Sequence, residues 1–234
     1  MSALSVNGLC AWYGAAQILF EVSFELGRGE VVALMGRNGA GKSTTMKAIM
    51  GLVPRRSGSV RFTEHELIRL KSYEIARLGV GWVPEDRRVF TDLTVMENLD
   101  VGRREPRGGV HWTPDKLFTL FPNLAELGNR PGGRISGGEQ QMLTVARTLM
   151  GNPLVVLLDE PSEGVAPVIV ERMAATIQEL KQQGLSILLS EQNLHFAELV
   201  SDRVYLLEKG HVAWAGTMAE LSSREDVQRQ HLTV

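Results

Sequence analysis

The chain has 234 residues, 44% of them hydrophobic and 22% charged, with a formal net charge of −2. That composition supports a globular core and gives no general attraction for nucleic acid or an anionic membrane surface. The single cysteine, Cys10, excludes an internal disulfide and a cysteine-based metal cluster and fits a reducing compartment. The N-terminal stretch MSALSVNGLC lacks a cationic start followed by an apolar core, so no signal peptide is expected. No apolar run approaches the roughly 20 residues that span a bilayer. Any action at a membrane is therefore expected to go through a partner.

Taken in chain order, LSVNGLCAWY and ILFEVSFEL alternate in part and carry β-branched and aromatic residues, and read as strands, with Gly27 and Gly29 marking a turn. EVVALMG is nearly continuous in apolar residues, as for a strand buried on both faces. After Gly41, Met46, Ile49, Met50 and Val53 fall at helical spacing, and Pro54 with RRSGS is expected to end that helix. Residues 91–150 read as a helical insert. It contains TVMENLDVGRR, a Gly/Pro/Arg loop over 104–112, and TPDKLFTLF with Thr113 as cap and Pro114 in the first turn. Strands return as LVVLLDE, LSILLSE and DRVYLLEKG, separated by helical stretches such as 168–183. Strands alternating with helices predict a parallel sheet wrapped by helices.

Gly36-Arg37-Asn38-Gly39-Ala40-Gly41-Lys42-Ser43 fits the Walker A pattern, a strand before it and a helix after it. Glycines allow backbone N–H groups to turn toward phosphate oxygens, and the following helix adds the positive end of its dipole. Lys42 would reach the β- and γ-phosphates, and Ser43 would offer a hydroxyl to Mg²⁺, with Thr44 beside it in the ATP-binding set. Such a loop needs a metal-holding acid and a means of positioning water. LVVLLDE ends in both: Asp159 for the metal and Glu160 as general base.

Ile135-Ser136-Gly137-Gly138-Glu139 closely resembles the signature of ATP-binding cassette (ABC) ATPases, and the order Walker A, signature, Walker B is that family's order. The resemblance covers essentially the whole chain. It implies an α/β P-loop NTPase fold: a parallel-sheet core with an antiparallel β subdomain and an inserted helical subdomain. The expected division is a single domain over 1–234, with core and β subdomain over 1–90 and 151–234 and the helical part over 91–150. It further implies that two cassettes pair head to tail, with ATP between the Walker A of one and Ser136, Gly137, Gly138 and Glu139 of the other. A serine and two glycine N–H groups at a helix start make chemical sense as a second anion site. Tyr13 in AWYG matches the aromatic that stacks on adenine, with Trp12 as the neighbouring alternative.

More narrowly, GRNGAGKST, WVPEDRRVFTDLTVMENL, GGEQQML, LLDEPSEGVAP and LLSEQN are similar to the ATPases of branched-chain amino acid importers. Glu85 stands where the wider family often has Gln, Gln192 where it often has His, and Ala166 near the place of a usual Asp. Gln192 can donate a hydrogen bond to a γ-phosphate but cannot take its proton near neutral pH, so a positioning role beside Glu160 is expected. Glu85 is expected either to bind Mg²⁺ or to face the membrane partner and pair with Arg87 or Arg88. His195 reads as an ordinary surface or core histidine. The resemblance implies membrane permease subunits, a second cassette (identical or a paralogue), an indirect periplasmic solute-binding protein, no nucleic acid, and a peripheral place on the cytoplasmic side of the inner membrane. Branched-chain amino acids are the first expectation for the solute, with urea or short amides the alternative. A soluble ABC ATPase is disfavoured by the single cassette, a nucleotide kinase by the lack of an acceptor domain, and a GTPase by the lack of a guanine-reading motif. A non-catalytic nucleotide-binding module is disfavoured by Lys42 and Glu160 together.

Overall fold

A computed structural model describes residues 2–106 and 110–232. Part of the expected loop over 104–112 therefore lies outside the described residues. Strands β1 (Ser2–Tyr13) and β2 (Ala16–Gly27) form an antiparallel hairpin. The chain then enters β3 (Val31–Met35), whose five residues are all buried, and turns into α1 (Lys42–Ile49). Strands β4 (Arg55–Phe62) and β5 (His65–Glu66) join the hairpin in a sheet ordered β2-β1-β4-β5, and α2 (Ser72–Leu78) leads to β6 (Val80–Val83).

Among the described residues, α3 (Val95–Gly102), α4 (Pro114–Leu120), α5 (Pro122–Glu126), a short 3-10 helix (Gly132–Arg134) and α6 (Gly137–Leu149) separate β6 from β7 (Val155–Asp159). The remainder alternates: α7 (Pro167–Gln182), β8 (Ser186–Glu191), α8 (Leu194–Val200), β9 (Arg203–Glu208), β10 (His211–Thr217), α9 (Met218–Ser223) and α10 (Glu225–His231). The second sheet runs β10-β9-β3-β8-β7-β6; its pairs are parallel except β10, which returns antiparallel along β9.

The near-continuous apolar runs follow from this sandwiching. Leu34, Leu157 and Leu188 pack on one face of the parallel sheet with α1 and the antiparallel sheet. Their neighbours Leu158 and Leu189 pack on the other with Leu143, Ile177 and Phe196. Side chains alternate across a strand, so both parities must be apolar when both faces are covered. Leu34 is fully buried, and truncation to Ala there would cost about 2–5 kcal/mol.

One sequence expectation is corrected. Helix α1 does not run to Pro54, and RRSGS does not end it. It stops at Ile49, with Met50 as C-cap and Gly51 at φ 72°. Gly51 N–H donates to the Ala48 carbonyl at 3.1 Å and Leu52 N–H to the Lys47 carbonyl at 2.8 Å, the paired closure that a left-handed glycine permits. The Arg-Arg-Ser-Gly-Ser stretch instead opens β4, where its backbone pairs with β1. The cap expected at Thr113 is present: its hydroxyl accepts from Lys116 N–H, with Pro114 in the first turn.

Candidate functional site

Register within the parallel sheet assembles the site. Met35 pairs with Glu191 across β3 and β8, and Asp159 with Ser190 across β7 and β8. The carboxyl ends of three strands thus meet beside the loop after Met35, the edge where ligands bind in open α/β sheets. A cleft of about 320 Å³ opens there, lined by Tyr13, Ile18, Asn38, Gly39, Gly41, Lys42, Ser43, Thr44, Glu85 and Glu160.

The loop from Gly36 to Gly41 wraps tightly. Gly36 has φ 150°, and a Cβ there would stand 2.3 Å from the Leu207 carbonyl of β9, so no larger residue fits. The buried Lys42 turns back over the loop. Its Nζ donates to the carbonyls of Gly36 at 2.8 Å and Arg37 at 3.3 Å, and stands 3.1 Å from Glu160 Oε1. Ala40 is buried under the loop, while the Arg37 side chain lines a separate hollow of about 210 Å³ with Glu208, Lys209 and His231.

Asp159 is 1% exposed. One of its oxygens, Oδ1, accepts from two hydroxyls, Ser43 at 2.9 Å and Ser190 at 2.8 Å. Burial pushes its carboxyl above the ordinary range, and the two hydroxyl bonds only partly offset this. Glu160 follows in a left-handed conformation at φ 47°. Burial would raise its carboxyl too, but hydrogen bonding with Glu163 and the Lys42 charge outweigh it and hold the group below the usual carboxylate range. Glu163 receives the opposite effect: its hydrogen bond with Glu160, then burial and the negative charges of Glu160, Glu85 and Glu191, push it up to about 7. The Gln192 amide bridges the cleft, donating to Asn38 Oδ1 at 2.7 Å and to Glu160 Oε2 at 3.1 Å.

Glu85 also lines the cleft and is exposed. The expected alternative for it, pairing with Arg87 or Arg88, is not what the structure shows. Arg88 is held by Asp86 at 2.9 Å, and Arg87 reaches the Gly164 carbonyl. His195 is exposed on α8. Trp12 is covered on one face by the Arg55 guanidinium, 4.6 Å from the ring centroid, whereas Tyr13 is 45% exposed at the cleft.

Ser136, Gly137, Gly138 and Glu139 form the start of α6 and take no part in lining the cleft. Ser136 Oγ accepts from Glu139 N–H at 3.3 Å, and the Glu139 carboxylate accepts from Ser136 N–H at 2.6 Å, a reciprocal cap that fixes the exposed serine at the helix start. Ser190 was not anticipated from sequence. It sits inside an apolar strand, and only the register with Asp159 reveals its place.

Among the described residues, no group of three or more His, Cys, Asp or Glu side chains is arranged to hold a metal. A buried carboxylate oxygen with a serine hydroxyl is nevertheless an oxygen set suited to Mg²⁺ when the remaining ligands are substrate phosphates and water. No helix among the described residues is long and apolar enough to cross a membrane.

The ABC transporter family profile matches residues 19–163. The chain is 41% identical over 230 residues to the high-affinity branched-chain amino acid transport ATP-binding protein BraG of Pseudomonas aeruginosa, covering 98% of this chain and 99% of that protein. It is 36% identical to the probable branched-chain amino acid transport ATP-binding protein LivF of Archaeoglobus fulgidus, covering 94% of each. It is 32% identical to the lipopolysaccharide export ATP-binding protein LptB of Escherichia coli, covering 99% and 98%. Its fold is similar to a nucleotide-free ATP-binding cassette of an ABC transporter, with TM-score 0.83 at 26% identity, covering 97% and 96%.

Proposed function

The chain belongs to the ABC transporter family as an ATP-hydrolysing cassette, and from that premise we propose that it powers uptake of a small polar solute, branched-chain amino acids first. The observation that carries the reading is one cleft holding Lys42, Ser43, Glu85 and Glu160, with Asp159 bonded to Ser43 behind it. The choice of solute is supported by the identities to BraG and LivF.

In this reading the N–H groups of the Gly36-to-Thr44 loop and Lys42 bind the phosphates, and Tyr13 stacks on adenine, since the face of Trp12 is taken by Arg55. Ser43 and Asp159, with Glu85 near them, would hold Mg²⁺, which supplies charge neutralisation to the phosphates when bound. Glu160 is the general base. It takes a proton from water as the water oxygen bonds to the γ-phosphorus and the bond to the bridging oxygen breaks, giving ADP and phosphate. With Lys42 facing it Glu160 is held ionised; when Lys42 turns to the phosphates that lowering influence is lost, which raises its affinity for the proton of water. Gln192, already bonded to Glu160 and Asn38, orients water and the γ-phosphate without exchanging a proton.

The signature lies outside the chain's own cleft, which supports closure of that cleft by Ser136 to Gly138 of a second cassette, identical or paralogous. ATP bridging the two stabilises the closed pair, and hydrolysis removes the bridge. We assign 1–90 and 151–234 to core and β subdomain, and 91–150 to a helical subdomain. Between them lies a groove of about 570 Å³ lined by Tyr73, Trp82, Phe90, Val101 and Arg147, among others. Tyr73, Phe90 and Val101 are 52%, 46% and 45% exposed. This is the proposed seat of a permease helix, which would hold the chain peripherally on the cytoplasmic face while an external solute-binding protein delivers solute. Steady-state phosphate release tests the enzyme: Glu160→Gln should abolish turnover yet retain ATP, and equal rates would defeat the assignment of Glu160. Co-purification from native membranes with permease subunits tests the transport reading. Recovery of lipopolysaccharide-export subunits instead would overturn the solute.

A further inference from the structure

Arg87 stands where three loops meet. It and Arg88 occupy the left-handed region, at φ 59° and 51°, a conformation costly for two successive residues that are not glycine. Helix α6 holds the turn. Thr144 Oγ1 donates to the Arg87 carbonyl at 2.7 Å, and Arg147 Nη2 donates to the same oxygen at 3.4 Å. The Arg87 side chain then runs to two further places. Its Nη1 lies so near the start of α6 that a Cβ on Gly137 would come within 2.7 Å of it. Its Nη2 donates to the Gly164 carbonyl at 3.5 Å, in the loop after Glu160.

A cation at the start of a helix opposes the helix dipole, so this placement does not serve the stability of α6. It does connect. Glu85, two residues before Arg87, and Glu160, four before Gly164, both line the cleft, whereas Gly137 belongs to the signature. The same knot extends outward: Arg147 donates to Asn98 Oδ1 at 3.4 Å, Asn98 bonds both the N–H and the carbonyl of Phe90, and Phe90 lines the groove.

We propose that Arg87 is a positioning residue that couples the Glu85 and Glu160 sides of this chain's phosphate cleft to the start of the signature helix. The proposal rests on the two-cassette reading above. A displaced Glu85 loop carries the Arg87 carbonyl away from Thr144 unless α6 follows, and a displaced segment after Glu160 pulls the guanidinium across Gly137. Only the forked guanidinium can address both places at once; a single ammonium cannot.

Hydrogen exchange on the full chain, with and without Mg²⁺ and a non-hydrolysable ATP analogue, tests this. The chain is kept dilute enough that sedimentation shows it unpaired, so that no second cassette covers 136–140. In the unmodified protein the analogue should slow exchange at 36–44 and also, by about 5-fold, at 136–140 and 161–165. Arg87→Ala should keep the protection at 36–44 and the melting temperature while reducing the effect at the two remote segments below about 2-fold; Arg87→Lys, which keeps the charge and guards against misfolding of the Ala variant, should fall between them. Equal remote protection in all three proteins overturns the proposal. So does an unmodified protein protected at 36–44 alone. Absence of protection at 36–44 as well defeats the phosphate-loop reading itself, and the proposal with it.

Discussion

Replacing Lys42 by Ala should destabilise the protein in the absence of any nucleotide. The two side chains of the Lys42–Glu160 pair are 3% and 7% exposed and 3.1 Å apart. Removing one partner of a buried pair costs about 3–5 kcal/mol, because the survivor keeps an uncompensated charge. Here the survivor retains the Gln192 amide and its hydrogen bond with Glu163, which argues for the lower end, about 3 kcal/mol. With an unfolding entropy of about 2.1 cal/mol/K per residue, a chain of this length loses about 6 °C in melting temperature. Glu160→Gln alone leaves Lys42 its two carbonyl acceptors and should cost about 1 kcal/mol. The double variant no longer buries an unpaired charge, so it should be more stable than the sum of the single changes predicts by about 2 kcal/mol, or about 4 °C. Calorimetry near pH 7 with chelator present reads all four proteins. Simple additivity, or a Lys42→Ala melt within a degree of the original, would show that the pair carries no coupling and that Glu160 is not held by Lys42.

Tyr13→Ala should weaken ATP binding about 10-fold in competition against a fluorescent analogue, the loss of one base–aromatic stack. Trp12→Ala should change it less than about 2-fold, and the reverse ranking would transfer the adenine to Trp12. Gln192→Ala should lower turnover about 10-fold, near 1.4 kcal/mol of transition-state stabilisation, with the dissociation constant for ATP nearly unchanged; intact turnover would remove Gln192 from the chemistry. The Glu163 carboxyl is raised to about 7, so the folded chain holds a proton there that the unfolded chain releases. Stability from this group is complete below the unfolded value of 4.5, then declines and is lost as pH rises through about 7. Glu163 is exposed, so the loss should stay under about 1 kcal/mol, because water and salt screen its neighbours. Denaturant midpoints across that window should flatten in Glu163→Gln, and an unchanged slope would remove the effect.

The phosphate loop and the two strand-end acids were legible in the sequence because their chemistry is local. Anion binding by backbone demands small residues next to a helix start, and the metal-side acid demands an apolar strand ending beside it. RRSGS hides its strand for the opposite reason: Ser and Gly favour turns when considered alone, and only the distant partner β1 makes the stretch a strand. The polar partners of the site were hidden in the same way. Ser190 meets Asp159 only through the β7–β8 register, and Arg87 reaches Gly137 and Gly164 only because α6 folds back over the loop after β6. No spacing rule foretells those meetings, because each joins segments whose separation along the chain bears no relation to their distance in space.

The left-handed backbone at Glu160 carries an evolutionary corollary. Glycine would rest there with less strain, by about 1 kcal/mol, but it would leave the buried Lys42 without its carboxylate partner, a loss that offsets the gain. A selection scheme rewarding heat tolerance alone would therefore retain the carboxylate at the position on which turnover depends. In libraries built on this scaffold the ion pair with Lys42 ties the hardiness of a survivor to the keeping of its base.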